Sequence, residues 1–357
     1  MRVLAVTNMY PTASAPWSGT FVEQQVEGLR RLGLSVEILL LDRPHGAGAV
    51  TAPTLLFLKG AVRAYRGAIK RIRRCAAELK PDLMHVMYGG VTAELATRAV
   101  SGLPIVVSFC GGDLLREPAP TAAKRLSIRY GVFASHLAAR RADAIVVKSR
   151  NLREALPPGI DRRRVWTIPN GVDLERFKPM DPRACRERLG WPEGTFHVLF
   201  PSFPEDPRKG FALARAAVER LKTSGIEIEL HTLRGRPHEE VPIWLNAGHC
   251  LLFASSLEGS PNIVKEALAC DRAVVSVDIG DVRERLDGIA GCFLADAAAD
   301  DLAAKLRLAL PESPTEDRRV AGRTRMRELS LERVAERVLA VYREVVGARG
   351  RSGVTAR

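Results

Sequence analysis

Glu258-Gly-Ser-Pro-Asn-Ile-Val-Lys-Glu266 sets two carboxylates eight positions apart, with turn formers between them and helix formers around the second. The run follows Cys250-Leu-Leu-Phe-Ala254 and precedes Ala273-Val-Val-Ser-Val277, so strand, loop, helix and strand fit one parallel crossover unit. Ser260 suits the N-cap and Pro261 the first helical position. Loops and helix N-termini at the carboxyl ends of parallel strands collect anions, because free amides and the helix dipole converge there. Glu258 is therefore expected beside a phosphate-binding position. On a helical wheel Ile263, Val264, Ala267, Leu268 and Cys270 form the apolar face, Lys265 points away, and Glu266 flanks that face where a carboxylate can meet a cleft. Taken alone, the same residues also fit a plainer reading. Glu266 would complement the helix N-terminus, worth roughly a few tenths of a kcal/mol, and Glu258 would be an ordinary loop acid.

The elements that position these acids are legible from periodicity. The first half alternates strands and helices: Val3 to Val6, a helix from about Phe21 to Leu32, Val36 to Leu41, Leu83 to Val86, Ile105 to Val107 and Ala144 to Val147. Ile168-Pro-Asn-Gly-Val-Asp-Leu-Glu-Arg-Phe-Lys-Pro179 ends that series, and a second opens with Val198-Leu-Phe200 and continues through Ile226 to Leu230, Cys250 to Ala254 and Ala273 to Val277. The expected organisation is α/β with two doubly wound domains, 1–180 and 181–330, facing each other across a cleft. A last segment, 331–357, carries a helix from about Leu331 to Val346 that packs back on the first domain, and a basic tail frays beyond Gly347.

With 357 residues, 46% apolar and 27% charged, the chain can bury more than one core. Its six cysteines show no Cys-x-x-Cys spacing, which argues against a zinc site or a disulfide framework and for a reducing, cytoplasmic setting. No apolar run reaches the ~20 residues of a spanning helix, and Met1 to Val6 is too short for a signal-peptide core. The net charge of +13 is unevenly placed: residues 1–180 hold 27 Lys+Arg against 14 Asp+Glu, while the remainder is balanced at 27 each. An anionic partner is expected for the first half. Between Arg43 and Ala77 there is no acid, while Lys59, Arg63, Arg66, Lys70, Arg71, Arg73 and Arg74 accumulate. Leu58, Val62, Tyr65, Ile69 and Ile72 recur at helical spacing. This amphipathic basic helix, residues 58–74, either packs with a solvated cationic face or touches an anionic bilayer.

The Glu258-x7-Glu266 run, with Glu-Ala-Leu-Ala-Cys270 and Ala273-Val-Val-Ser-Val-Asp-Ile-Gly-Asp281 after it, resembles the donor-site signature of retaining glycosyltransferases of family 4. Those enzymes carry two Rossmann-like domains in the GT-B arrangement. Thr7-Asn-Met-Tyr-Pro11 with Gly19, Pro81-Asp-Leu-Met-His85 and Ile168-Pro-Asn-Gly-Val-Asp173 extend the likeness over nearly the whole chain. The resemblance implies transfer of a hexose from a nucleotide diphosphate sugar to a hydroxyl acceptor, a glycan or lipid-linked one, in cell-surface polysaccharide or glycolipid synthesis. It also implies no cofactor and no metal, in keeping with the lack of an Asp-x-Asp motif. Retention without a clear nucleophile implies front-face attack assisted by the leaving phosphate.

Carried onto this sequence, the resemblance gives Glu266 the ribose hydroxyls and Glu258 the sugar ring. Ionised carboxylates are acceptors only, and diols supply the donors they need. Gly259, Ser260, Pro261, Asn262, Ile263 and Val264 would bring backbone amides to the sugar and diphosphate, and Gly19 would do so from the first domain. Arg208 and Lys209 would meet the charge that grows on the departing diphosphate, with Lys209 the stronger choice. Gly235 and Arg236 are weaker candidates near the base. On the acceptor side stand Cys110, Gly111 and Asp113, with Asp113 expected to bind acceptor or take its proton. Two positions depart from the family pattern: Cys110 stands where many relatives have a histidine, and Pro204 where they often have an arginine, for which Arg208 would compensate.

His85 reads as a satisfied strand-end histidine, His249 as a fold feature, and His136 and His197 lack partners at a recognisable spacing. Three other functions are weighed: hydrolysis or epimerisation of the same donor, a non-catalytic nucleotide-sugar-binding protein, and a basic nucleic-acid module. The last is disfavoured because only 6% of residues are aromatic and no aromatic-interleaved basic platform is visible, so no nucleic-acid partner is expected.

Overall fold

The computed structural model describes residues 1–15, 18–41, 55–117, 119, 121–201 and 204–352, with backbone alone at 55–61 and 350–352. The chain divides into two units, 1–169 with 334–357, and 170–333.

In the first unit six parallel strands, β1 (Arg2–Thr7), β2 (Ser35–Leu40), β3 (Leu83–Met87), β4 (Ile105–Phe109), β5 (Ala144–Val147) and β6 (Val165–Thr167), lie in the order β2-β1-β3-β4-β5-β6. β3, β4 and β5 are buried along their whole length, as strands covered on both faces must be. The order reverses between β1 and β3. The last helix, Leu331–Ser352, runs beyond the Val346 end expected from its apolar repeat. Its Tyr342 hydroxyl lies 2.5 Å from His85 Nδ1, and the other ring nitrogen meets Ser108 Oγ at 2.7 Å. His85 is thus the satisfied strand histidine expected, and burial drives its pKa down to about 3, aided by Lys148 nearby. Arg349 does not fray: its guanidinium holds Asp143 at 2.8 and 3.0 Å.

The second unit has five parallel strands, β7 (Phe196–Phe200), β8 (Ile228–Thr232), β9 (Cys250–Phe253), β10 (Ala273–Val277) and β11 (Phe293–Ala295), ordered β11-β10-β9-β7-β8. Its switch point falls between β7 and β9. The first unit ends at Pro169, not near 180, because residues 170–180 are tied to the second unit. The Val172 amide donates to Leu329 O at 2.8 Å, and the Arg323 guanidinium donates to Leu174 O and Phe177 O.

The expected basic helix spans Leu55–Leu79. Arg43 lies outside the described residues, and the side chains of Leu58 and Lys59 are not described. Ala68, Ile69, Ile72, Cys75, Ala76 and Leu79 pack into the core, whereas Val62 is 47% exposed, so among the described side chains the stripe does not meet the core at its start.

Candidate functional site

In the second unit three loops converge at the carboxyl ends of the central strands, and glycines let them touch. The loop after β7 ends in a short 3₁₀ turn, Pro207–Lys209, followed by Gly210 at φ 74°. A Cβ on Gly210 would sit 2.1 Å from Ala254 O, just past β9, so only glycine permits this approach. The Ser256 amide then donates to Arg208 O at 2.8 Å. From the loop after β10, Gly280 (φ 61°) presses on Gly259 O, which a Cβ would meet at 2.5 Å.

Across this junction Lys209 Nζ donates to Glu258 Oε1 at 2.6 Å, and Ser255 Oγ donates to the same oxygen at 2.9 Å. Both partners of the ion pair are partly exposed. The cation and the first acid singled out in the sequence are therefore brought together at the switch point, where doubly wound sheets bind their ligands. Glu266 is 7% exposed and lies in the helix Asn262–Ala269, whose N-terminus has no side-chain cap. Its Oε1 is 3.5 Å from His238 Nε2. Arg176 Nη1 lies 2.7 Å from His238 Nδ1; because arginine can only donate, the ring proton belongs on Nε2, facing Glu266. His238 and Arg176 escaped the sequence reading, and nothing in their local spacing announced them.

Several expectations need correction. Pro261, not Ser260, is the N-cap residue. Lys265, though off the apolar face as expected of the wheel, is not on a wet side: it is fully buried, and its Nζ donates to Ser260 Oγ at 2.6 Å and Ser260 O at 3.2 Å. Ser260 in turn donates to Asp281 Oδ2 at 3.0 Å, while Arg285 Nε lies 3.4 Å from the same carboxylate oxygen. The hydroxyl is thus drawn from the cap by the need of a buried ammonium for acceptors. Val264 to Cys270 are all buried, so this helix has no outward face, and Ile263 is its partly exposed apolar residue.

Arg208 is committed elsewhere than expected. Its guanidinium forks onto Asp206 at 2.9 and 2.7 Å, and the same carboxylate caps the turn through the Arg208 amide. This pairing, chiefly the side-chain hydrogen bond, holds the Asp206 carboxyl below its usual value. Arg208 shapes the loop that presents Lys209. Arg236 lies over the Trp244 ring at 4.4 Å, whereas Gly235 (φ 69°) borders open space. Asn262 Oδ1 accepts from Asn170 Nδ2 at 3.2 Å.

The remaining candidates belong to the first unit. Gly19 (φ 71°) packs against Met9, whose carbonyl a Cβ would strike at 2.4 Å. Asp113 is not an open acid: it is 4% exposed, and its carboxylate accepts from the amides of Gly89 (2.8 Å), Gly111 (2.7 Å) and Cys110 (3.0 Å). Burial holds its pKa above the usual carboxylate value, and those amides offset only part of that rise. Such a carboxylate fixes the loop after β4 against the loop after β3 and has little capacity left for a substrate proton. Cys110 keeps its proton, because burial and then the Asp113 carboxylate push its thiol up to about 12. Lys148 was missed although it directly follows the apolar run of β5. It is 1% exposed, donates to Gln25 Oε1 at 3.1 Å, and has its pKa lowered by burial against the pull of Cys110 and Asp113.

The surface of the first unit has a second feature. The helix Ala122–Arg141 leaves Leu126 (68%), Tyr130 (49%) and Phe133 (55%) exposed along one stripe among the exposed cations Lys124, Arg125 and Arg129. A Tyr65–Tyr130 hydrogen bond links this helix to the basic helix Leu55–Leu79.

Two doubly wound parallel-sheet units, the second with Lys209 paired to Glu258 at its switch point, fit the GT-B glycosyltransferase fold. The description Glycosyltransferase Family 4 matches residues 18–176, and Glycosyl transferases group 1 matches residues 206–311. The chain belongs to glycosyltransferase family 4. It is 26% identical over 338 residues to TuaC of Bacillus subtilis (strain 168), a glycosyltransferase assigned to teichuronic acid biosynthesis, covering 79% of this chain and 82% of that one. It is also 26% identical over 393 residues to alpha-maltose-1-phosphate synthase of Mycolicibacterium smegmatis, covering 97% and 100%. Among solved structures, sucrose-phosphate synthase from Thermosynechococcus elongatus superposes with a TM-score of 0.73 at 17% identity over 98% of this chain and all of that one, a likeness of fold.

Proposed function

We propose that this glycosyltransferase moves a hexose from a nucleotide diphosphate sugar to the hydroxyl of a glycan or lipid-linked acceptor, with retention and without a metal, in polysaccharide or glycolipid synthesis. The observation that carries the reading is the Lys209–Glu258 pair between the loops after β7 and β9, with Glu266 on the following helix. In this reading Glu266, oriented by His238, takes the ribose diol, and Glu258 takes a sugar hydroxyl. Lys209 moves from Glu258 to the diphosphate, whose charge grows as the glycosidic bond breaks, and the uncapped amides at Asn262 assist it. A lysine in that place supplies the positive charge for which other transferases use a metal. The relative named for teichuronic acid biosynthesis supports a polysaccharide setting. The cationic, aromatic stripe on the first unit supports a cytoplasmic enzyme resting on an anionic membrane.

The test is incubation with UDP-, GDP- and ADP-hexoses, with and without acceptor glycans and in the presence of a chelator, reading nucleotide release and the anomer of the product by NMR. Acceptor-dependent release and a product with the donor's anomeric configuration, both indifferent to chelation, are expected. Release equally fast without acceptor would turn the reading to hydrolysis, and an inverted product would end the retaining mechanism.

A further inference from the structure

We infer that His197, Glu229 and His231 form a binding site for a divalent first-row transition ion, zinc fitting best, separate from the sugar-transfer site. His197 on β7 is the register partner of Glu229 on β8, and Glu229 and His231, two apart on the same strand, share its face. Three ligand atoms converge there. His197 Nδ1 lies 3.0 Å from His231 Nε2, and the same Glu229 Oε2 lies 3.4 Å from His231 Nε2 and 4.0 Å from His197 Nδ1. A triangle with those sides has a circumradius of about 2 Å, the length of a zinc–imidazole or zinc–carboxylate bond.

The surroundings favour ligation as well. His197 Nε2 is 2.9 Å from Pro192 O, so that nitrogen carries the proton and Nδ1 presents its lone pair to the cluster. A backbone carbonyl fixing the tautomer in this way is the usual outer support of a metal-bound histidine. Without metal, His231 Nε2–H donates to His197 Nδ1. On binding, that proton passes to His231 Nδ1 and both lone pairs face the ion, with no net change of charge on either ring. Trp191 stacks on His231 at 3.8 Å with 12° between planes, walling one side, while the half-exposed Glu229 leaves the other side open for a water as fourth ligand. With one carboxylate, the site offsets half the charge of a divalent ion.

The experiment titrates Co(II) into the full-length protein after chelator dialysis, reading visible d–d absorption and Trp191 fluorescence, since a paramagnetic ion on His231 quenches the stacked indole. One equivalent is expected to bind, with tryptophan quenching that Trp191→Phe reduces, Trp244 lying farther off at 6.4 Å from the His231 ring, and with displacement by zinc. Glu229→Gln, at an exposed position that the fold does not need, should weaken binding by about 10- to 100-fold, and His231→Ala should abolish it. Absence of one-to-one binding below about 100 μM, where affinity would be merely that of a weak surface contact, overturns the proposal. Unchanged binding by Glu229→Gln and His231→Ala does so too, as do thiolate charge-transfer bands showing that cysteine holds the ion.

Discussion

Lys209 Nζ lies 2.6 Å from Glu258 Oε1 although 49 residues separate them in the chain. The pair closes the switch point between β7 and β9, with Gly210 and Gly280 allowing the flanking loops to approach. The bond also neutralises two groups that would otherwise stand charged and part-buried side by side. A donor that satisfies both can exchange this ion pair for its own contacts at small net cost.

Replacing Lys209 by alanine should lower kcat/KM by about 10²- to 10³-fold. The melting temperature should move little, because a partly exposed ion pair contributes only about 0–1 kcal/mol. Steady-state kinetics beside a thermal melt separates the two effects, and undiminished turnover removes Lys209 from the mechanism.

Gly210→Ala should cost about 1–3 kcal/mol, since its Cβ meets Ala254 O and its φ is left-handed. It should also lower turnover by moving Lys209. Gly33 shares the left-handed φ but borders open space. Gly33→Ala is therefore expected to cost about 1 kcal/mol and leave turnover unchanged. Equal turnover in both variants would separate the loop contact from catalysis.

Lys265→Met leaves the Asp281 carboxylate buried without the ammonium beyond Ser260, and a loss of about 3 kcal/mol is expected in denaturant unfolding. Adding Asp281→Asn should recover part of that loss. A double variant whose cost equals the sum of the single ones would mean that the two charges are not coupled.

His85 has a folded pKa of about 3, below the ordinary histidine value of about 6.5. Below pH 6.5 the unfolded chain therefore binds a proton that the folded one refuses. Stability from this group is complete above that pH and falls by about 1.4 kcal/mol per unit on acidification toward pH 3. His85→Asn, though less stable throughout, should show a shallower fall between pH 6.5 and 4.5 in unfolding titrations. An identical slope would locate the acid sensitivity elsewhere, His231 and His249 being the next groups to examine.

Leu126→Ser with Phe133→Ser should reduce sedimentation with anionic liposomes severalfold while leaving the melting temperature nearly constant, because both side chains are mostly in water. Raising salt should have a parallel effect, each cation near an anionic surface adding about 1 kcal/mol. Equal recovery on neutral vesicles would remove the membrane reading.

The alternation of apolar runs and amphipathic repeats was enough to read β1 to β5 and β7 to β10, since a strand covered on both faces must be apolar along its length; β6 and β11, three residues each, are too short to show it. Glu258 was legible as an acid in the loop after such a strand, and Lys209 through the resemblance, which puts a cation after the strand Val198 to Phe200. Asp113 and Arg208 misled because an acid or a cation in a loop looks alike whether it faces substrate or ties its own backbone. Lys265 misled because a helical wheel assumes that one side of a helix is wet.

By itself, then, the sequence determined two wound domains and the strand, loop and helix that carry Glu258 and Glu266, because these depend on periodicity and on residues adjacent in the chain. Tertiary structure alone decided that β9 lies beside β7, and with it the meeting of Lys209 with Glu258, of His238 with Glu266, and, through β7 beside β8, of His197 with Glu229 and His231. Which strands become neighbours is settled by burial over the whole sheet, and no local run of residues carries that information.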